Sequence, residues 1–340
     1  MMRSSNRSRS ILVSLLVAVM FLLPAIAGAE DVDQNNFNVS ISVGYVMVPF
    51  VVTAPDGRPV RNVHSRQVEL RVDGKLVHTD MFERTDDAPV SFTILLDTSG
   101  SMGLAGKLEG AKAAVRTLIK RQVLGDEYSL WTFDSKNVTQ LVPFTRSGTR
   151  IIHAIDGVKP WGKTAFFDAV AKMPDYSTLG TNGSRAIILL TDGLDNASRL
   201  SAAELAARLE GVDVPIYPLG LRFPEREARE TEHAAEAQTD LAVLQRVASI
   251  SGGRVAIAED PARLESAVHL IERDLRSQYL IGFTPTGQGT VKYRRISLYA
   301  GQGRLVRVRA GYRGTAPPLR EADQRSSARN SQNVKKGSFE

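Results

Sequence analysis

Hydrophobic and polar residues follow two different rhythms along this chain. In residues 38–90, and again after residue 278, apolar side chains recur at every second position between turn sequences, as in strands with one buried face. From residue 91 to 277, short apolar runs alternate with stretches of helical spacing. We therefore predict an α/β fold, a doubly wound and mostly parallel sheet with helices on both faces, flanked by a smaller β-rich, sandwich-like region.

The central block contains clear strand and helix sequences, and the flanking region contains a hairpin through Asp73-Gly74. The charged stretch 222–238 is expected to be an exposed insertion. The predicted strands are 91–97, 126–133, 184–192, 214–221 and 254–258, and the predicted helices are 107–123, 201–211, 239–253 and 260–277.

These patterns of apolar and polar positions divide the chain into segments. We expect the strands of 278–313 to pair with those of 38–88, so that the α/β block is inserted into one sandwich. The predicted segments are a signal peptide (1–29), a linker (30–37), a β-rich region (38–88), the α/β domain (89–277), C-terminal strands (278–313) and a disordered tail (314–340).

The N-terminus has the composition of a secretory signal. Three arginines precede the apolar run Ile11 to Leu23, and Ala27-Gly28-Ala29 offers a small-residue cleavage site. The alternative is a retained membrane anchor, but the run is short for a span of about 20 residues. We expect a secreted or periplasmic bacterial protein with no transmembrane span after cleavage.

Charge and cysteine content narrow the function classes. Cleavage would remove three arginines and lower the formal net charge from +6 by three, so nucleic acid is not expected as the main partner. The chain has no cysteine, which excludes disulfides, cysteine nucleophiles and thiolate metal sites.

The most informative sequence is SFTILLDTSGSM, residues 91–102. An apolar strand ends at Asp97, and two hydroxyls follow at alternate positions, Ser99 and Ser101. Oxygen donors of this kind suit a hard divalent cation such as Mg²⁺. Asp192 ends a second apolar strand, and Thr164 lies in a loop that enters a helix. Since the carboxyl ends of parallel strands share one edge, these residues are expected to meet there.

The order D-x-S-x-S, lone Thr and T-D-G resembles the metal-ion-dependent adhesion site of von Willebrand factor type A domains, over roughly residues 89–277. The sequences QYLIGF and VRVRAGYR also resemble a secreted acidobacterial family with such a domain. The resemblance implies that Ser99, Ser101 and Thr164 donate hydroxyl oxygens to Mg²⁺ or Mn²⁺. It further implies that Asp97 and Asp192 bind directly or through water.

By this resemblance the protein is a non-enzymatic binding module, active in adhesion or complex assembly. Neutral hydroxyls leave the ion electrophilic, so its open position would take a Glu or Asp carboxylate from a protein partner.

Several neighbours are expected to support the site. Gly100 and Gly103 should allow tight turns, and by the resemblance Asp168 should support the Thr164 loop rather than bind metal. For Asp195 and Asn196 we favour capping of the next segment, and for Asp134 a turn role. The alternative for all three is a contact that supports the metal ligands.

The strongest competing interpretation is a nucleotide-binding loop, since GVKPWGKT (157–164) satisfies G-x-x-x-x-G-K-[ST]. The preceding RIIHAIDGV has helical rather than strand spacing, and Pro160 has no N–H with which to hold phosphate. Lys163 is therefore expected in solvent. Neither H-E-x-x-H nor G-x-S-x-G occurs, which weakens the case for a hydrolase. A metal-dependent hydrolase and a scaffold with a purely structural metal are kept as weaker alternatives.

The C-terminal strands are basic. We expect a solvated face, with weak contact to an anionic envelope surface as the alternative. The residues concerned are Lys292, Arg294, Arg295, Arg304, Arg307 and Arg309.

Overall fold

The computed structural model describes residues 45–86, 88–193, 195–223, 232–285 and 292–314, with side chains from residue 240 onward in the fourth range. All of them belong to one compact unit, Ile41–Glu340. The predicted signal peptide, the linker and nearly all of the tail lie outside the described residues, as do residues 224–231 of the predicted charged insertion. Residues 232–238 of that insertion belong to a helix. Within the described ranges, no helix is both long enough and apolar enough to cross a membrane.

Strands occur in the three regions where the pattern predicts them, and their apolar residues are mostly buried. The strands are β1 (Val46–Thr53), β2 (Glu69–Val72), β3 (Lys75–Leu76), β4 (Met81–Asp86), β5 (Val90–Asp97), β6 (Glu127–Phe133), β7 (Val138–Thr145), β8 (Ser184–Thr191), β9 (Ile216–Leu221), β10 (Ala256–Ala258), β11 (Ser277–Phe283), β12 (Lys292–Tyr299), β13 (Leu305–Val308) and β14 (Gly311–Gly314).

The helices of the described residues all lie in the central block. Ser201 caps one of them, accepting a hydrogen bond from the backbone N–H of Glu204, in a capping box. The α-helices are α1 (Lys107–Lys120), α2 (Gly148–Asp156), α3 (Phe166–Val170), α4 (Met173–Ser177), α5 (Ala202–Leu209), α6 (Glu232–Ser251) and α7 (Leu264–Leu275).

The central sheet has the order β10-β9-β8-β5-β6-β7, and every pair is parallel except β6–β7. Strand β5 is buried at every position, and separate apolar clusters cover the two faces of the sheet. The prediction of a mostly parallel sheet between helical layers is confirmed. The register pairs Leu96 of β5 with Leu190 of β8, so Asp97 and Asp192 leave the sheet at the same edge.

Strand β7 was not predicted. Its side chains are mostly exposed and it forms the antiparallel edge of the sheet, where burial imposes no clear apolar pattern.

The flanking strands form two four-stranded sheets, β13-β1-β11-β4 and β14-β12-β2-β3. Each sheet contains strands from both sides of the central block. Phe50, Leu70, Tyr279 and Ile296 belong to one shared apolar cluster between the sheets. The N-terminal and C-terminal strands therefore bury a common core.

The predicted hairpin is shorter than expected. Asp73 and Gly74 have φ values of 50° and 79°, as a two-residue turn between antiparallel strands requires. Its second strand ends at Leu76, and Met81–Asp86 pairs with β11 instead.

A solvated basic face is the wrong description of Arg307 and Arg309. Arg307 Nη2 lies 2.6 Å from Oδ2 of the fully buried Asp274 on α7. Arg309 is itself buried, and its guanidinium donates to the carbonyl of Met47 at 2.9 Å. These side chains join parts of the fold because buried guanidinium groups require acidic or carbonyl partners.

Candidate metal centre

Asp97 is fully buried and held by hydrogen bonds at both carboxylate oxygens. Its Oδ1 accepts from the backbone N–H of Ser99 at 2.9 Å, and its Oδ2 accepts from the hydroxyl of Thr191 at 2.7 Å. The Thr191 hydroxyl oxygen in turn accepts from the N–H of Gly193 at 3.0 Å. The end of β8 therefore orients the carboxylate that ends β5.

The two predicted serine donors are neighbours in space. Ser99 Oγ and Ser101 Oγ lie 3.1 Å apart, with Ser99 buried and Ser101 half-buried. Both belong to the loop that begins directly after β5, and a 3₁₀ turn, Gly100–Gly103, follows Ser99.

The Thr164 loop is fastened to this serine loop through its backbone. The N–H of Gly100 donates to the carbonyl of Gly162 at 2.9 Å, and the N–H of Trp161 donates to the carbonyl of Thr98 at 2.6 Å. Thr164 is buried. The structure thus brings the serine loop and the threonine loop to the same sheet edge.

Asn196 contacts the Thr164 loop directly, so of its two predicted roles the geometry favours support of the metal ligands over capping of the next segment. Its side-chain oxygen accepts from the N–H of Thr164 at 2.9 Å, and its own N–H donates to the Thr164 carbonyl at 3.0 Å. Asp195 accepts from the N–H of Phe167, in the first turn of α3. The T-D-G-x-D-N sequence therefore also anchors the loop that carries Thr164.

Of two other predicted roles, one differs from the geometry and one agrees with it. The Asp168 carboxylate accepts from the N–H groups of Arg199 and Leu200 at 3.1 and 3.0 Å, so it holds the loop before α5 rather than the Thr164 loop. Asp134 accepts from the N–H groups of Lys136 and Asn137 at 2.6 and 3.1 Å, as a turn acid does.

The glycines of the serine loop serve close approach rather than unusual dihedrals. A Cβ on Gly100 would lie 3.2 Å from the Gly162 carbonyl oxygen, and one on Gly103 would lie 2.9 Å from the Pro160 ring. The positive φ values occur later, at Ala105 (51°) and Gly106 (77°), directly before α1.

Asp192 has a partner that sequence analysis missed. The Lys107 ammonium donates to Asp192 Oδ2 at 3.2 Å, and the two side chains are only 11% and 4% exposed. Asp192 Oδ1 is buried without a hydrogen-bond partner. Lys107 shares a helical stripe with Ala111 and Val115, so a lysine on an apolar stripe was the available clue.

The two carboxylates raise the electrostatic cost of the site. Burial, and secondarily the nearby Asp192, raises the pKa of Asp97 to about 7. A buried oxygen without a partner and a destabilised carboxylate are both features that a bound cation would relieve. Carboxylate and hydroxyl oxygens are also the donors that Mg²⁺ and Mn²⁺ prefer, so the residues present fit such an ion.

The donor set is poor in acids. No group of three or more His, Cys, Asp or Glu side chains that could hold a metal occurs among the described residues. Three of the five predicted ligands are hydroxyls, so any metal site here depends on neutral donors.

The segment that resembles a nucleotide-binding loop has the wrong structural setting. Residues 148–156 form helix α2, whereas a phosphate-binding loop of this type follows a strand. Lys163 is exposed, as predicted. The loop joins two helices and delivers Thr164 to the sheet edge.

Residues 92–194 match the family model of the von Willebrand factor type A domain, and the match spans all five predicted ligands. A curated relative, the magnesium-chelatase 67 kDa subunit of Chlorobaculum parvum, is 25% identical over 170 residues, which are 47% of this chain and 27% of that subunit. The chain therefore spans about a quarter of the length of that relative.

Solved structures show weaker similarity. The von Willebrand factor type A protein from Catenulispora acidiphila is 14% identical with a TM-score of 0.46, over 80% of this chain and 74% of that one. The conserved hypothetical protein BatB from Bacteroides thetaiotaomicron is 21% identical with a TM-score of 0.43, over 55% of this chain and 100% of that one. The family match and the strand order establish that the chain contains a von Willebrand factor type A domain. The similarity to the acidobacterial family stays a prediction.

Proposed function

We propose that this protein is an exported binding module that holds Mg²⁺ or Mn²⁺ at the edge of its central sheet and contacts an acidic side chain of a protein partner. The observation that carries the proposal is the buried, unpartnered Oδ1 of Asp192 at the same edge as the fixed carboxylate of Asp97. The proposed ligands are Asp97, Ser99, Ser101, Thr164 and Asp192.

The proposed ligands contribute in two ways, as charged carboxylates and as neutral hydroxyl oxygens. Asp97 and Asp192 supply negative charge, while the Ser99, Ser101 and Thr164 hydroxyls add oxygens without adding charge. A bound divalent ion would act as an electrophile with an open position for an external carboxylate. The hydrogen bonds of Thr191 and Asn196 keep Asp97 and the Thr164 loop in place.

Exposed apolar side chains beside the site support a protein partner. The Trp161 side chain is 80% exposed, although its backbone N–H donates to the carbonyl of Thr98. Leu104, which follows the serine loop, is 49% exposed. Large apolar side chains at such positions often form the anchoring contacts of protein interfaces.

A cationic cleft beside the Thr164 loop supports an acidic partner. It has a volume of about 510 Å³, and its lining includes Ala165 and Ala197. Ala165 follows Thr164 in the chain, and the Ala197 N–H donates to the Thr164 carbonyl at 3.0 Å. The carboxylates of its two acids, Asp134 and Asp168, accept hydrogen bonds from backbone N–H groups. In the described part of the chain, no salt bridge involves its four cations, Lys136, Lys172, Arg199 and Arg208.

A peptide of alternating Gly and Glu, compared with its Gly/Gln counterpart, tests the proposal. We expect fluorescence anisotropy to show that only the Glu peptide binds, that Mn²⁺ or Mg²⁺ is required, and that Asp97→Ala abolishes binding. Binding that survives a chelator would assign the peptide to the cationic cleft alone. Equal binding of both peptides would overturn the proposal.

A further inference from the structure

We infer that Lys107 is a built-in cation of this site, which neutralises Asp192 when no divalent ion is bound and competes with that ion for the carboxylate. The inference rests on the proposed metal site, and it concerns how tightly that site binds.

Lys107 is buried beside an acidic side chain, Asp192. Lys107 is 8% exposed as a whole residue, and its ammonium group lies 3.2 Å from Asp192 Oδ2. A lysine is rarely buried without a specific anionic partner, because moving an ammonium group out of water is costly. Asp192 is therefore a structural reason for this lysine to be buried.

A turn with two positive φ values directly precedes Lys107. Ala105 and Gly106 both have positive φ, and α1 begins at the next residue. A positive φ is unfavourable for alanine, so this reversal is maintained by the surrounding structure. The turn is closed by the Lys107 N–H, which donates to the carbonyl of Leu104 at 3.0 Å.

Other acidic side chains lie near Asp192. Asp97 and Asp192 leave the adjacent strands β5 and β8 at the same sheet edge, and a Cβ on Gly193 would lie 3.1 Å from the Cβ of Asp240 on α6. Without a divalent ion, the positive charge of Lys107 offsets the negative charge of Asp192 and its neighbours. The same charge repels a dication that approaches Asp192, so the ammonium must withdraw or the affinity must fall.

The test compares Lys107→Met with Lys112→Met. Lys112 lies on the same helix, its side chain is 7% exposed, and its ammonium lies 2.9 Å from Glu109 Oε1. Both variants remove one buried, paired ammonium group, but only Lys107 contacts a proposed ligand. Calorimetry gives the Mg²⁺ and Mn²⁺ affinities of the purified proteins, and thermal unfolding in chelator gives their metal-free stability.

We expect Lys107→Met to bind Mg²⁺ and Mn²⁺ about 10- to 100-fold more tightly than the wild type. We also expect it to unfold at a lower temperature in chelator and to gain more from added metal. Lys112→Met should keep the wild-type affinity. If Lys107→Met does not fold without metal, Lys107→Gln replaces it, since its amide can still donate to Asp192.

The outcomes separate this inference from the proposed function. Asp97-dependent metal binding by the wild type, with unchanged affinity in Lys107→Met, would overturn the role of Lys107 and leave the metal site standing. Binding by Lys107→Met alone would show that Lys107 closes the site to metal. Absence of binding in both proteins would overturn the metal site and the inference together.

Discussion

Two buried carboxylates at one sheet edge determine the chemistry of this molecule at the scale of single residues. Thr191 and the Ser99 N–H stabilise Asp97, and Lys107 stabilises Asp192. One oxygen of Asp192 nevertheless stays without a partner. The polar groups of the described chain therefore compensate the site only in part, which is the state expected of a site built for an external cation.

The raised pKa of Asp97 predicts the pH dependence of metal-free stability. The folded protein holds the proton up to about pH 7, whereas the ordinary carboxyl pKa is 3.8. The folded state therefore binds more protons, and the unfolding free energy should fall as pH rises from about 4 to 7, by about 4 kcal/mol at most.

Asp97→Asn should remove this slope and raise stability at pH 8, because the uncharged amide can accept from the Ser99 N–H through its oxygen and donate to the Thr191 hydroxyl oxygen through its NH₂ group. Urea unfolding in chelator at several pH values measures the effect. An equal slope in Asp97→Asn and wild type would show that other groups cause it.

At the scale of elements, the Thr164 loop shows how backbone contacts set a site. Asn196→Ala removes the acceptor of the Thr164 N–H. We expect a loss of about tenfold or more in metal affinity, since groups that orient ligands commonly have that effect. The cost in unfolding free energy should be about 1 kcal/mol.

Asn137→Ala is the matched control, because Asn137 is exposed and follows β6, which ends at the same sheet edge as β5. Calorimetry and thermal unfolding of both variants measure the two effects. Equal affinities would mean that Asn196 does not position Thr164.

The elements also show what the sequence could predict. Apolar periodicity predicted α1 as 107–123, and the helix spans Lys107–Lys120. Periodicity reports burial within a segment, so it found β5 and β8 but missed the mostly exposed β7. It did not show that Lys107 reaches Asp192, 85 positions away, because that contact depends on how α1 packs.

At the scale of the whole molecule, a buried ion cluster joins the sandwich to the α/β domain. Asp274 on α7 lies 3.0 Å from Arg254 Nε and 2.6 Å from Arg307 Nη2, and Arg307 belongs to β13. Burial raises the pKa of Asp274, and the two arginines oppose that effect. The pairing of distant strands, and hence this cluster, depends on contacts that no local pattern encodes.

Arg307→Met should destabilise the protein by about 3–5 kcal/mol, because it leaves a buried carboxylate with one partner fewer. Arg295→Met is the control, since Arg295 is exposed on β12. Urea unfolding measures both. A small effect for Arg307→Met, equal to that of the control, would show that the cluster does not hold the two parts together.

Calorimetric titration of Mg²⁺ and Mn²⁺ into the purified wild type measures whether this sheet edge binds one divalent cation. Asp97→Ala is titrated beside it with two controls, the turn acid variant Asp134→Ala and the exposed Lys163→Ala. We expect one ion per chain in the wild type and both controls, and none in Asp97→Ala. Full affinity in Asp97→Ala, or no binding to the wild type, would contradict the account, and loss of binding in Lys163→Ala would restore the nucleotide-binding interpretation.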